Sequence, residues 1–192
     1  MRDPAPTTIY LKDYAPPAFL IATVGLDVDM NEDFARVRAK LAIRRNPVAK
    51  DPHAPLALDG DELELESVAL DGRTLAPDEY TLDDEHLTIP NVPDAFTLET
   101  SVRIEPRKNT KLMGLYATKD GFFTQCEAEG FRRITFFIDR PDVMARYTTT
   151  IHADREKYPV LLSNGNPVGR GDEPLPSSPR RGGRGSINHP AA

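Results

Sequence analysis

The chain has 192 residues, a net charge of −6 and a single cysteine, Cys126. This length predicts one domain, or one domain followed by a tail. The acidic balance argues against nucleic acid as a partner, because phosphate binding needs a basic surface. A lone cysteine cannot form an internal disulfide, and no stretch reaches the ~20 apolar residues that span a bilayer. We therefore expect a soluble, cytoplasmic protein that binds neither nucleic acid nor membranes.

Apolar and polar residues alternate with a period of two in the first half of the chain, as in strands with one buried face. Two such runs, 24–30 and 35–43, flank a turn-like segment at 31–33 and predict a hairpin. Asp-Gly pairs at 59–60 and 71–72 supply tight turns. Shorter segments follow at Leu56/Leu58, Leu63/Leu65, Val68/Leu70, Tyr80/Leu82, Leu87/Ile89, and Phe96/Leu98 with Val102/Ile104. Short strands at this spacing predict an all-β fold, an antiparallel sandwich or barrel.

The second half of the chain predicts fewer elements. Strands are expected at 134–138 and 147–152, with a short helical turn at 139–144 between them. A further strand at 160–163 runs into Asn164-Gly165, a hairpin-turn signal.

No apolar return strand follows that signal. Residues 169–192 contain five glycines, four prolines, four arginines and no aromatic residue. Such a segment buries too little apolar surface to offset its ordering entropy, so we expect a disordered tail. The expected organisation is a flexible N-terminus over 1–9, a β domain over 10–168 and the tail over 169–192.

Metal and thiol chemistry have little support in the residue pattern. The four histidines are His53, His86, His152 and His189, and no two of them lie within thirty residues of each other. A zincin-type site needs two histidines one helical turn apart, so we expect this chain to bind no zinc. Cys126 lacks a local histidine partner and is expected to be inert.

An amide and two carboxylates occupy alternate positions at Gln125, Glu127 and Glu129. On a strand the three side chains would share one face, with the two carboxylates about 7 Å apart. Such a group could attract a cation and would suit an ammonium ion. A solvated acidic strand edge would produce the same pattern, and the residues alone leave both interpretations open.

Several segments resemble the N-terminal domain of bacterial-type aminopeptidase N, a zinc metallopeptidase family. The most specific segment, 124–133, reads Thr-Gln-Cys-Glu-Ala-Glu-Gly-Phe-Arg-Arg. Residues 139–143 and 158–166 match the family in order and spacing, as do 10–17 and 114–116. The resemblance covers roughly Tyr10 to Val168.

The resemblance implies a saddle-like β domain that packs on a separate thermolysin-like catalytic domain. In the family, a zinc held by two histidines and a glutamate activates water to attack the first peptide bond. The N-terminal domain contributes a glutamine and a glutamate that hold the α-amine of the substrate and shape the first side-chain pocket. By motif position these residues are Gln125 and Glu127. No ligand role carries over to Glu129, which is expected to be structural.

The chain departs from the full family pattern, because it has neither the zinc motif nor the catalytic domain. Zinc is therefore expected in the full-length family and not in this chain. We hypothesise a truncated or frame-shifted product, inactive alone, whose partners are a peptide N-terminus and the missing catalytic domain. Two alternatives stay open: a β-sandwich module that binds peptides or proteins by itself, and a subunit that docks on a separately encoded catalytic chain.

Overall fold

The computed structural model describes residues 10–171 and 184–190, and these residues form strands and two short 3₁₀ helices, Leu11–Asp13 and Phe131–Arg133. The all-β prediction is confirmed. In chain order the strands are β1 (Phe19–Met30), β2 (Ala35–Arg45), β3 (Leu56–Asp59), β4 (Glu64–Leu70), β5 (Arg73–Thr74), β6 (Thr81–Leu82), β7 (His86–Ile89), β8 (Ala95–Ile104), β9 (Gly114–Ala117), β10 (Phe122–Gln125), β11 (Arg146–Asp154), β12 (Gly169–Gly171) and β13 (Arg184–Pro190).

The largest sheet has the strand order β12-β13-β11-β1-β2-β8-β4-β5. The predicted hairpin is β1 and β2, which pair antiparallel from Phe19↔Arg45 to Met30↔Ala35. All neighbours in this sheet are antiparallel except β1 and β11, which run parallel. That exception departs from the purely antiparallel expectation, and it requires the long crossover between residues 30 and 146.

One buried cluster joins the large sheet to the three-stranded sheet β3-β7-β6. On β2 the alternation is strict, because Val37, Ala39 and Leu41 are buried while the intervening Arg38 and Lys40 are exposed. The second sheet contributes the buried side chains of Leu56, Leu58, Leu87 and Ile89. Period-two patterning therefore gave each of these strands one core face, as expected.

The two Asp-Gly pairs have different roles. Asp71 and Gly72 both have positive φ, 50° and 80°, and link β4 to β5 as a tight turn, which confirms that prediction. At Asp59-Gly60 the structure differs from the predicted turn. A Cβ on Gly60 would lie 2.3 Å from the ring of Phe136, so this glycine permits close packing.

Two predicted strands are wrong. Residues 134–138 are buried but irregular, with only the single bridge Asp59↔Phe137. An apolar run is needed wherever the core is filled, and it does not require a β ladder. Residues 160–163 also form no strand, and Val160 and Leu162 are 70% and 79% exposed. Asn164-Gly165 is a bend between irregular segments.

The segment 139–144 was expected to form a short helical turn. It contains one hydrogen-bonded turn, in which the Val143 N–H donates to the Arg140 carbonyl at 3.1 Å. The predicted strand at 147–152 is confirmed as β11.

Part of the segment expected to be disordered has strand backbone. β13 pairs antiparallel with β11 from Thr148↔Pro190 to Asp154↔Arg184, and β12 pairs with β13. Such backbone ladder hydrogen bonds need no apolar side chains. Residues 1–9, 172–183 and 191–192 lie outside the described residues. No helix within the described ranges is long and apolar enough to cross a membrane.

Candidate functional site

The hairpin of β9 and β10 positions Gln125 at its end. The strands pair antiparallel, with Phe123 opposite Tyr116 and Gln125 opposite Gly114. Phe122 packs against Tyr158, with ring centroids 5.4 Å apart. Strand alternation turns Phe123 and Gln125 to the face opposite Phe122, and both are exposed. Gln125 is therefore available to a ligand.

The chain leaves the strand directly after Gln125. Residues 127–130 form a turn in which the Gly130 N–H donates to the Cys126 carbonyl at 2.8 Å. A Cβ on Gly130 would lie 2.8 Å from the carbonyl oxygen of Gln125 and 2.9 Å from Cε of Met113. The prediction that positions 125, 127 and 129 share one strand face is therefore wrong, because the chain folds back on itself where only glycine fits.

The two glutamates of this turn have different surroundings. Glu129 forms an ion pair with Arg132 at 3.1 Å. Glu127 is exposed, and within the described part of the chain no hydrogen bond or ion pair engages its carboxylate. The same holds for the side-chain amide of Gln125. The structure thus leaves one glutamate of the turn unpaired and neutralises the other.

Arg132 holds Glu129 from a network that reaches the core. Its Nε donates to Oδ2 of the buried Asp139 at 3.0 Å, and its Nη2 donates to the Asp139 carbonyl at 3.0 Å. The Asp139 N–H in turn donates to Oδ2 of Asp59 at 2.9 Å. Although burial opposes its charge, the hydrogen bond to Asp139 and the nearby carboxylates raise the pKa of Arg132. The guanidinium that pairs with Glu129 is therefore charged and firmly oriented.

Arg133 lies in the 3₁₀ helix that follows the turn and is buried. Its guanidinium donates to the carboxylates of Asp61 and Glu62 and, at 3.2 Å, to the carbonyl of Met113. The hydrogen bond from Arg133 lowers the pKa of Glu62 despite partial burial. Lys111 adds a second cation, with Nζ 3.1 Å from Oε1 of Glu62.

Cys126 lies between Gln125 and Glu127 and is half-buried. Burial, with the negative charge of Asp139 adding to it, raises the pKa of the thiol to about 11. The thiol is therefore protonated at neutral pH, whereas a reactive cysteine needs a thiolate.

His86 and His152 lie on strands of different sheets, β7 and β11. His86 lies 3.5 Å from Asp83 and 3.8 Å from Asp59, whereas His152 contacts Asp27 at 2.9 Å on the large sheet. Among the described residues, no three His, Cys, Asp or Glu side chains form a group that could hold a metal. The described residues therefore do not supply the three or four grouped ligands that a protein zinc site needs.

Comparison with known proteins relates this β domain to a peptidase family. The family model for the Peptidase M1 N-terminal domain matches residues 13–175. The chain belongs to this family. The M1 match spans the β domain, including the hairpin and the turn, and confirms the resemblance to aminopeptidase N seen in the sequence.

Individual M1 relatives agree with that assignment. Over 171 residues the chain is 51% identical to Aminopeptidase N of Caulobacter vibrioides, which covers 89% of this chain and 19% of the relative. It is 44% identical to Aminopeptidase N of Escherichia coli over 168 residues, 87% of this chain and 19% of that protein. The chain thus spans about a fifth of the length of the curated relatives it matches.

Solved structures share the fold. The crystal structure of Legionella pneumophila aminopeptidase A in complex with aspartic acid superposes with a TM-score of 0.84 at 33% identity, covering 94% of this chain and 20% of that one. An M1 zinc metallopeptidase from Deinococcus radiodurans has the same fold, with a TM-score of 0.69 at 12% identity over 93% of this chain and 40% of that one. Zinc is thus associated with full-length members of the family.

Residue patterns alone did not identify the roles of Arg132 and Arg133. The available signal was two adjacent arginines, three and four residues after Glu129 of the turn. Their partners Asp59 and Asp61 come from a segment more than 70 residues away, so these pairings could not be assigned locally.

Proposed function

We propose that this chain is the N-terminal domain of an aminopeptidase N and that its turn at 125–130 binds the free α-ammonium group of a peptide substrate. The observation that carries the proposal is the difference between the two glutamates. Glu127 is exposed and unpaired within the described residues, whereas Arg132 neutralises Glu129. A substrate cation would therefore find one available carboxylate.

The chemistry of Glu127 and Gln125 suits a primary ammonium group. An ammonium has three donors, and a carboxylate accepts a charge-assisted hydrogen bond from it. The side-chain carbonyl of Gln125, at the end of β10, can accept a second one. An acylated N-terminus or an internal peptide bond carries no such charge, so the site would discriminate in favour of free N-termini.

The relatives support this ligand class. Two curated relatives are named Aminopeptidase N, and the Legionella structure contains aspartic acid, a ligand with a free α-ammonium group. Hydrolysis would require the catalytic domain and zinc of a full-length enzyme. The proposed contribution of this chain is to hold and orient the amine, and we expect the chain alone to be inactive.

The proposal can be tested in a chimera in which this chain replaces the matching segment of Caulobacter vibrioides Aminopeptidase N. Glu127→Gln removes the charge but keeps the size, and Glu129→Gln is the matched control two residues away. We expect Glu127→Gln to lower kcat/KM on alanine p-nitroanilide about 10- to 100-fold, the usual effect of losing one charge-assisted hydrogen bond. Glu129→Gln should change it less than about 3-fold.

Inhibition constants identify the group that Glu127 recognises. Alaninamide carries the ammonium, and lactamide replaces it with a hydroxyl. Glu127→Gln should weaken inhibition by alaninamide and leave lactamide unchanged. Equal effects of Glu127→Gln and Glu129→Gln would contradict the proposal, and turnover by the isolated chain supplied with zinc would contradict the need for a separate catalytic domain. Saturable peptide binding by the isolated chain, lost in Glu127→Gln, would instead favour the stand-alone binding module.

A further inference from the structure

We propose that Arg133 is a positioning residue for the amine-binding turn and that it acts through Met113 and Gly114. This inference rests on the proposed function, because the turn at 125–130 is the element positioned. Arg133 is too buried to meet a substrate, since its side chain is only 5% exposed. Its effect on the site must therefore pass through its neighbours.

The buried guanidinium of Arg133 has acceptors on two segments. Asp61 and Glu62 follow β3, and the carbonyl of Met113 precedes β9. A planar guanidinium with several donors in fixed directions restricts where each acceptor can lie. The side chain thus ties the start of β9 to the segment after β3.

The backbone of Arg133 also packs directly on Gly114. A Cβ on Gly114 would lie 2.5 Å from Cβ of Arg133 and 3.3 Å from its carbonyl oxygen. Gly114 has a φ of +72°, so its conformation as well as its contact surface suits glycine. The start of β9 therefore rests against Arg133 with no intervening side chain.

The two ends of the amine-binding turn contact Gly114, the first residue of β9, and Met113, which precedes it. Gln125 is the register partner of Gly114, and Gly130 lies so close to Met113 that a Cβ would be 2.9 Å from its Cε. A shift of Met113 and Gly114 would therefore move Gln125 and the turn that carries Glu127. Small displacements of a substrate-holding group can lower kcat/KM by about 100-fold.

The experiment measures steady-state kinetics of Arg133→Gln and Arg133→Lys in the same chimera, alone and combined with Glu127→Gln. Arg36→Gln is the control, because Arg36 also makes a two-point ion pair, with Glu66, but lies on β2 of the large sheet. We expect Arg133→Gln to raise KM for alanine p-nitroanilide about 10-fold or more with a smaller change in kcat. Arg133→Lys should restore part of the loss.

The double variant separates positioning from general destabilisation. If Arg133 acts through the turn, Glu127→Gln should lower kcat/KM less in the Arg133→Gln background than in the wild-type background. If the two effects multiply, or if Arg133→Gln raises KM no more than Arg36→Gln, the inference is overturned. If Arg133→Gln does not fold, Glu62→Gln removes one acceptor of the guanidinium and provides the same cycle.

The result also distinguishes the two proposals. If Glu127→Gln does not change kcat/KM, the amine-binding function itself is overturned. If Glu127→Gln lowers kcat/KM by the same factor with and without Arg133→Gln, the amine-binding function stands and only the positioning role is overturned.

Discussion

Replacement of Gly114 by alanine should destabilise the domain by more than its backbone conformation explains. Its φ of +72° costs a non-glycine residue about 1–2 kcal/mol. The new Cβ would also lie 2.5 Å from Cβ of Arg133, an atom that cannot move away without its backbone. Overpacking of this kind adds about 1–3 kcal/mol. We therefore expect Gly114→Ala to lower the free energy of unfolding by about 2–5 kcal/mol.

Gly72→Ala is the matched control for the backbone term. Gly72 has a φ of +80°, and a Cβ there would meet no atom within 4 Å. It should cost about 1–2 kcal/mol for its φ, partly offset by the reduced entropy of the unfolded chain. Urea unfolding followed by circular dichroism gives both free energies, with the m-value checking that the unfolded states are comparable.

The difference between the two variants isolates the contact of Gly114 with Arg133. We expect Gly114→Ala to be less stable than Gly72→Ala by about 1–3 kcal/mol. A difference below about 0.5 kcal/mol in unfolding free energy would show that the start of β9 can move to accommodate the new Cβ without destabilising the fold. That result would refute the rigid packing argued here and remove the physical basis for the positioning role of Arg133.

Three further predictions concern the pH dependence, the core and the thiol. The hydrogen bond from Arg133 lowers the pKa of Glu62 from its ordinary 4.5, so the resulting stability is present above pH 4.5 and lost as pH falls through the lowered pKa. Glu62→Gln should therefore reduce the drop in unfolding free energy between pH 5 and pH 3, measured by urea unfolding. An unchanged drop would contradict this. Leu98→Ala, at a fully buried position of β8, should cost about 2–5 kcal/mol in the same measurement, against less than about 0.5 kcal/mol for the exposed Leu162→Ala. Burial raises the pKa of Cys126 to about 11, so iodoacetamide should alkylate the folded protein about 100-fold more slowly at pH 7.5 than it alkylates a free cysteine. Denaturant should restore the rate. Fast alkylation of the folded protein would show that the thiol is accessible and ionised.

The alternation of apolar and polar residues was sufficient to predict strands that have one buried face and one solvent-exposed face. The β1–β2 hairpin and β8 are examples, because side-chain direction alternates at each residue of a strand. The Asp71-Gly72 turn was equally predictable, since its positive φ values have a direct residue signature. Asn164-Gly165 carried the same signature and formed no hairpin, because a turn signal has no effect without two strands to join.

Local patterning failed where burial came from distant neighbours. Residues 134–138 are mostly apolar because they fill the core, in which the buried hydroxyls of Thr135 and Thr100 lie 3.4 Å apart. The residue types were the same as those of a strand, but the backbone is irregular.

The residue order by itself determined the all-β architecture and, through the motif at 124–133, the family, and it proposed Gln125 and Glu127 as candidate ligands. Only the tertiary structure decided which carboxylate of the turn is available. Arg132 is oriented by the buried Asp139 and takes Glu129, while Gly130 folds the chain back and leaves Glu127 exposed. Asp139 is itself held by Asp59, 80 residues earlier in the chain, so the orientation of Arg132 depends on a contact that the local sequence does not show.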